Sequence, residues 1–199
     1  KGLLSAAILD ENPVIFLEHR WLHDTTSIVP KNDYKIKLIG STVEKKGEDL
    51  TIVANSYNVT ESHKAIKILT KAGYNCELVN LRVLKPLNLD VIFKSVKKTK
   101  KVLIIDSGWT EYGIGSEILS RIIENDKIIL KKKPIRIGTK NHPTPATRAL
   151  IKNYYVNYTE IIQNALKILE INTKKIDEII KEEKLFRMKN IDVPNSKFK

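Results

Sequence analysis
The chain has 199 residues, of which 42% are hydrophobic, and a formal charge of +12. That is enough apolar material for one or two globular domains with a packed core. No run approaches the ~18 apolar residues of a membrane-spanning helix, and a single cysteine, Cys76, excludes an intramolecular disulfide framework and a multi-cysteine zinc site. A reducing compartment follows as the expectation, cytoplasm or an organelle matrix. The opening Lys-Gly-Leu-Leu lacks the pattern of a signal peptide and reads as a start inside a longer chain.

In chain order, Gly2 to Asp10 has helical apolar spacing and stops before Glu11-Asn12-Pro13, where proline disfavours helix at the preceding residue. Pro13-Val-Ile-Phe-Leu17 predicts a buried strand delivering Glu18, His19 and Arg20. The polar stretch 24–38 predicts a linker between an end piece, 1–23, and a main domain, 39–170. Strands are then predicted at Leu50–Ala54, Cys76–Leu81, Lys101–Asp106 and Pro134–Ile137. They alternate with helices at Thr60–Lys71, Leu89–Lys97, Gly115–Asn125 and Thr159–Leu169. Such alternation predicts an α/β fold: a three-layer, open, mostly parallel sheet of about five strands with helices on both faces. Ligands and partners gather at the C-terminal strand ends of such sheets, here the loops 55–58, 82–86 and 107–115. Ile176, Ile179 and Ile180 make a narrow apolar stripe that predicts a helical tail over 171–199.

Motifs narrow the chemistry mostly by failing. Gly113-Ile-Gly115 precedes a predicted helix, but Ile118 stands where a dinucleotide fingerprint needs its third glycine, so the pair reads as a turn or close packing. No Walker sequence, nucleophile elbow or paired-carboxylate signal is present, and His19 and His23 follow a predicted strand rather than sharing a helix face. Asn58-Val-Thr60 and Asn157-Tyr-Thr159 match the glycosylation pattern and read as chance matches. Between Val91 and Lys140, twelve Lys/Arg stand against five Asp/Glu, but lysine dominates and no aromatics interleave. A solvated basic surface is therefore expected rather than a nucleic-acid site.

An ordered set of longer matches carries more. Gly2-Leu-Leu-Ser-Ala-Ala-Ile-Leu-Asp-Glu-Asn-Pro-Val-Ile-Phe-Leu-Glu-His-Arg20 resembles the end of the pyrimidine-binding domain of 2-oxoacid dehydrogenase β subunits. Val79-Asn-Leu-Arg-Val-Leu-Lys-Pro-Leu87, Val102-Leu-Ile-Ile-Asp-Ser-Gly-Trp109, Gly113-Ile-Gly-Ser-Glu117 and Pro143-Thr-Pro145 resemble, in order, segments of the transketolase C-terminal domain that follows it. The chain departs from the family at Ser107, where an acidic residue is common, and at Asn141-His142, which replace the usual Asp.

The resemblance implies the C-terminal part of the β subunit of a thiamine-diphosphate-dependent 2-oxoacid dehydrogenase. That part would serve dimerisation and docking, with thiamine diphosphate and magnesium held by the assembled enzyme and none by this chain alone. The family's activating glutamate and catalytic histidine are expected upstream of Lys1, so no catalytic residue is assigned here and His19 is not given that role. Glu18 is expected in an ion pair with Arg20 or another loop residue. The resemblance further implies a potassium ion near Ala7, Ile8, Asp10 and Asn12, where helix-end carbonyls suit a hard cation. It also implies an interface through Arg82, Trp109 and Glu111. The expected partners are a second copy, an α-type subunit or missing N-terminal domains, and an acyltransferase component, with no membrane and no nucleic acid. Rival readings are a transketolase or deoxyxylulose-phosphate synthase C-terminal domain, and a basic, non-enzymatic binding module.

Overall fold
The computed structural model describes residues 1–23, 25–151, 154–171, 178 and 181, so the predicted tail over 171–199 lies almost wholly outside the described residues. In chain order the elements are α1 (Gly2–Ile8), a 3-10 turn (Arg20–Leu22), β1 (Ser41–Lys45), β2 (Leu50–Ala54), α2 (Tyr57–Lys71) and β3 (Cys76–Leu81). They continue with α3 (Asp90–Thr99), β4 (Val102–Trp109), α4 (Ile114–Ile123), β5 (Ile135–Thr139), α5 (Arg148–Ile151) and α6 (Tyr158–Leu169).

The strands form one sheet in the order β1-β3-β2-β4-β5. β3, β2, β4 and β5 are mutually parallel, and β1 is antiparallel on the β3 edge. Ile52 lies opposite Leu78 on one side and Leu103 on the other, so β2 is central. All five of its residues are buried, which is why it reads as an unbroken apolar run rather than an alternating one.

Side-chain alternation splits the core in two. Leu50, Ile52, Leu78, Leu103 and Ile105 face a layer made by α2 and α6, where Ala65, Ile66, Leu69, Ile161 and Ile162 close the packing. Val53, Val79 and Ile104 face α3 and α4, meeting Ile92, Val96, Ile118 and Ile122. Each such buried side chain contributes about 1.5–3 kcal/mol. Cys76 belongs to the first layer, and its burial pushes the thiol up to about 12, so it packs as a small apolar residue and is no nucleophile at neutral pH.

The three-layer sheet is the predicted one, with two differences. β1 was not predicted: Ser41-Thr-Val-Glu-Lys45 has one large apolar residue, because an edge strand with one open side needs little more. Pro13–Leu17 forms no strand. Its backbone is irregular, Ile15 is 87% exposed and Leu17 78% exposed. The apolar run reports a demand for burial, and no sheet edge among the described residues meets it. β1 reaches β2 by crossing the start of β3, and Gly47 is the crossing point. A Cβ there would lie 2.3 Å from the Cys76 carbonyl carbon and 2.4 Å from the Asn75 oxygen.

Candidate functional site
The C-terminal ends of β2, β4 and β5 build a connected polar network. At β2, Ser56 takes a left-handed φ of 53° and turns the chain directly into α2. Ser107 Oγ donates to Asn55 Oδ1 at 2.6 Å, and Asn58 Nδ2 donates to the Asp106 carbonyl at 3.1 Å. These bonds lock the β2 and β4 ends together. Asn58, the first glycosylation match, is thus a buried structural residue. Asn157, the second, caps α6 by accepting from the Thr159 and Glu160 amides at 3.0 and 3.1 Å.

Asp106 organises the glycine loop. Its Oδ1 accepts the Gly108 amide at 3.0 Å and its Oδ2 the Gly115 amide at 2.9 Å. Gly113 is required because a Cβ there would sit 2.4 Å from Asp106 Oδ2 and 2.4 Å from the Trp109 oxygen. The glycine pair therefore serves close packing and a turn, the reading that the missing third glycine favoured. Arg136 holds the far side of the loop, donating from Nη1 to the Thr110 carbonyl at 2.7 Å and to Ser116 Oγ.

Beside this loop lies an open cleft of about 340 Å³ lined by Ser107, Gly108, Trp109, Thr139, Thr144, Tyr154 and Tyr155. Trp109 is half-exposed and Tyr112, just beyond it, fully exposed. Tyr154 Oη donates to the His142 carbonyl at 3.2 Å and accepts from Thr144 Oγ1 at 3.2 Å. The hydrogen bond from Thr144 is the main cause of a hydroxyl pKa below the usual tyrosine value.

From the cleft an aromatic ladder runs to the N-terminal segment. Tyr154 meets Tyr155 at 4.9 Å between ring centroids, Tyr155 meets Trp21 at 5.3 Å, Trp21 meets Tyr57 at 5.1 Å, and His19 stacks on Tyr57 at 5.2 Å. The segment carrying Glu18-His19-Arg20 is thus pinned to the start of α2, and His19 Nδ1 accepts the Trp21 amide at 3.2 Å. Sequence reasoning missed the ladder because its members come from three separate stretches, 19–21, 57 and 154–155. The Tyr154-Tyr155 pair was its only local sign.

Burial lowers the His19 pKa. The neutral ring is therefore the stabilising form. Its contribution is fully present above the unfolded value of about 6.5 and is lost as pH falls through the lower folded value. In a Trp109→Phe background, Trp21 emission is expected to shift red on acidification below that point, and His19→Gln should abolish the shift. An unchanged transition in His19→Gln would assign it to another group.

The residues named from the sequence are not all gathered at the cleft. Trp109 lines it, and Glu111 stands in the same loop, accepting from Asn141 Nδ2 at 2.9 Å. Arg82 follows β3, on the other side of β2, half-buried with its Nε shielded and lacking a hydrogen-bond partner among the described residues. Glu18 pairs with His23 rather than Arg20. Ala7, Ile8, Asp10 and Asn12 lie at the end of α1, where Asp10 Oδ1 accepts both the backbone and side-chain N–H of Asn12, at 2.9 and 3.0 Å. Those bonds hold the Asp10 carboxyl below its usual range. Among the described residues no three His, Cys, Asp or Glu side chains converge to hold a metal, and the cleft has no charged lining. These residues do not fit a magnesium-diphosphate group.

Fold and site together define an open α/β domain with an antiparallel edge strand and an aromatic, uncharged cleft at its C-terminal strand ends. Residues 41–161 match the model of the transketolase C-terminal domain, and the chain belongs to that family. It is 37% identical over 172 residues to the pyruvate dehydrogenase E1 component subunit beta of Mesostigma viride, covering 85% of this chain and 52% of that protein. It is 32% identical over 176 residues to the mitochondrial subunit of that name in Rattus norvegicus, covering 86% of this chain and 49% of that one. The chain thus spans about half the length of these curated relatives. Among solved structures, a split gene transketolase described as an inactive beta4 tetramer shares the fold. Its TM-score is 0.62 at 23% identity, over 73% of this chain and 47% of that one.

Proposed function
We propose that this chain is the C-terminal, assembly-forming portion of a β-type subunit of a thiamine-diphosphate-dependent 2-oxoacid dehydrogenase. Oxidative decarboxylation would require the rest of that subunit and an α-type partner. The observation that carries the reading is Val14–Leu17, an apolar run that joins no strand among the described residues and is held by the aromatic ladder beside a domain with its own two-layer core. A covering body outside the described residues accounts for it, and the relatives are about twice as long as the stretch matched. The exposed Trp109, Glu111 and Tyr112 and the half-buried Arg82 supply the contact between copies, since aromatic and arginine side chains dominate interface energies. An acyltransferase component would dock on the assembled form, in an organelle matrix or the cytoplasm. The carbonyl end of α1, with Ala7, Ile8, Asp10 and Asn12, would hold potassium. Among the described residues no helix is long and apolar enough to cross a membrane.

The test is co-expression with the N-terminal half of an E1 beta relative and with its α-type subunit. Pyruvate decarboxylation is then measured with thiamine diphosphate and magnesium, in potassium chloride and in choline chloride. Turnover is expected from the assembly, highest in potassium, and turnover by this chain alone would overturn the reading. Ile15→Asp is expected to change the stability of the isolated chain by no more than about 0.5 kcal/mol, as for an exposed site, yet to abolish co-purification with the N-terminal half. Unimpaired co-purification would remove Val14–Leu17 from the contact.

A further inference from the structure
The opposite end of the sheet, where the parallel strands begin, carries a cluster of ammonium groups. Lys97 lies in the last turn of α3, Lys100 is its left-handed cap with φ 57°, and Lys101 leads into β4. Lys131 and Lys133 stand in the loop before β5. The two runs are fixed side by side by backbone bonds. The Lys131 amide donates to the Lys100 carbonyl at 2.8 Å, and the Thr51 amide to the Lys101 carbonyl at 3.0 Å.

Carboxylates from three other elements already dock here. Glu48, from the loop between β1 and β2, lies 3.5 Å from Lys98, which also meets Glu77, and Glu170, at the end of α6, meets Lys132. Lys97, Lys100, Lys101, Lys131 and Lys133 have no carboxylate partner among the described residues. Ile129, two residues before Lys131, is 75% exposed.

Lysines at a helix C-terminus are expected without any partner, because they complement the helix dipole. That accounts for Lys97 and Lys100. It does not account for Lys131 and Lys133, which sit on a loop and bring like charge against that helix end.

We propose that this face binds an acidic, partly apolar peptide segment of a partner protein, its carboxylates meeting the five lysines and an apolar side chain covering Ile129. Nucleic acid fits less well: the cluster has no arginine for bidentate base or phosphate contacts and no aromatic side chain for stacking. The inference is independent of the proposed enzymatic role, since it concerns the end of the sheet remote from the cleft.

The probe is a fluorescein-labelled peptide of alternating glutamate and leucine, followed by anisotropy at physiological salt against the full chain. Lys100→Glu/Lys131→Glu is expected to weaken binding by about tenfold or more, because like charges brought together across an interface oppose binding strongly. Lys37→Glu/Lys67→Glu, exposed positions with the same change of net charge, should alter it by less than about twofold, as for sites outside the contact. Ile129→Ser should weaken it as well, and thermal unfolding checks that each variant is folded. Equal weakening by the two reversals, tighter binding of duplex DNA than of the peptide, or no binding by the unaltered chain would each overturn the proposal.

Discussion
Glu61→Ala should destabilise the domain by about 3–5 kcal/mol, the usual cost of breaking a buried ion pair by removing one member. The Glu61 and Lys64 side chains are only 6% and 7% exposed, and Lys64 Nζ lies 2.6 Å from Glu61 Oε1. The second carboxylate oxygen accepts the Tyr158 amide at 2.8 Å, so one side chain on α2 also satisfies the first turn of α6. Alanine would remove the Glu61 carboxylate from the buried Lys64 ammonium, which also lies 5.8 Å from the Tyr57 ring centroid, and would take from the Tyr158 amide its carboxylate acceptor. Glu61→Gln/Lys64→Met keeps an acceptor for Tyr158 and removes the buried charge, so it should cost clearly less than the single alanine variant. Urea unfolding of the three proteins decides the matter. A loss below about 1 kcal/mol for Glu61→Ala, the scale of an exposed pair, would mean that the pair is hydrated in solution.

The second large effect is expected at Gly113. A methyl group there meets Asp106 Oδ2 and the Trp109 carbonyl oxygen, both at 2.4 Å. Overpacking of this kind costs about 1–3 kcal/mol. If the carboxylate swings away, the Gly115 amide loses its acceptor, at a further cost of about 1–3 kcal/mol. Gly108→Ala is the control within the same loop, because its added carbon meets only Asp106 Oδ1 at an ordinary 3.6 Å. Denaturation midpoints should therefore fall steeply for Gly113→Ala and barely for Gly108→Ala. Equal losses would point to a general intolerance of the loop rather than to the Asp106 contact. Because Trp109 and Tyr112 stand on this loop, Gly113→Ala should also weaken self-association, measurable by sedimentation on protein that remains folded.

Both predictions rest on residues whose importance is silent in the linear sequence. Glu61 sits amid the polar residues of an amphipathic-looking helix, and only the approach of α6 buries it. Asp106 ends the apolar run of β4, and only the return of the chain to Gly115 gives its carboxylate a second amide beside that of Gly108. A turn signal marked the place without naming the contact.

What the sequence determined by itself was the layered sheet. Strands such as Leu50–Ala54 and Cys76–Leu81, and helices such as Thr60–Lys71, are legible because burial in a parallel sheet imposes local, periodic demands on neighbouring residues. Tertiary structure alone decided which strands pair, that Ser41–Lys45 forms the antiparallel edge, and that Val14–Leu17 finds no partner among the described residues. It alone assembled the ladder of His19, Trp21, Tyr57, Tyr154 and Tyr155. The physical reason is range. Periodicity records whether a residue must leave water, while the identity of what covers it depends on contacts between stretches far apart in the chain.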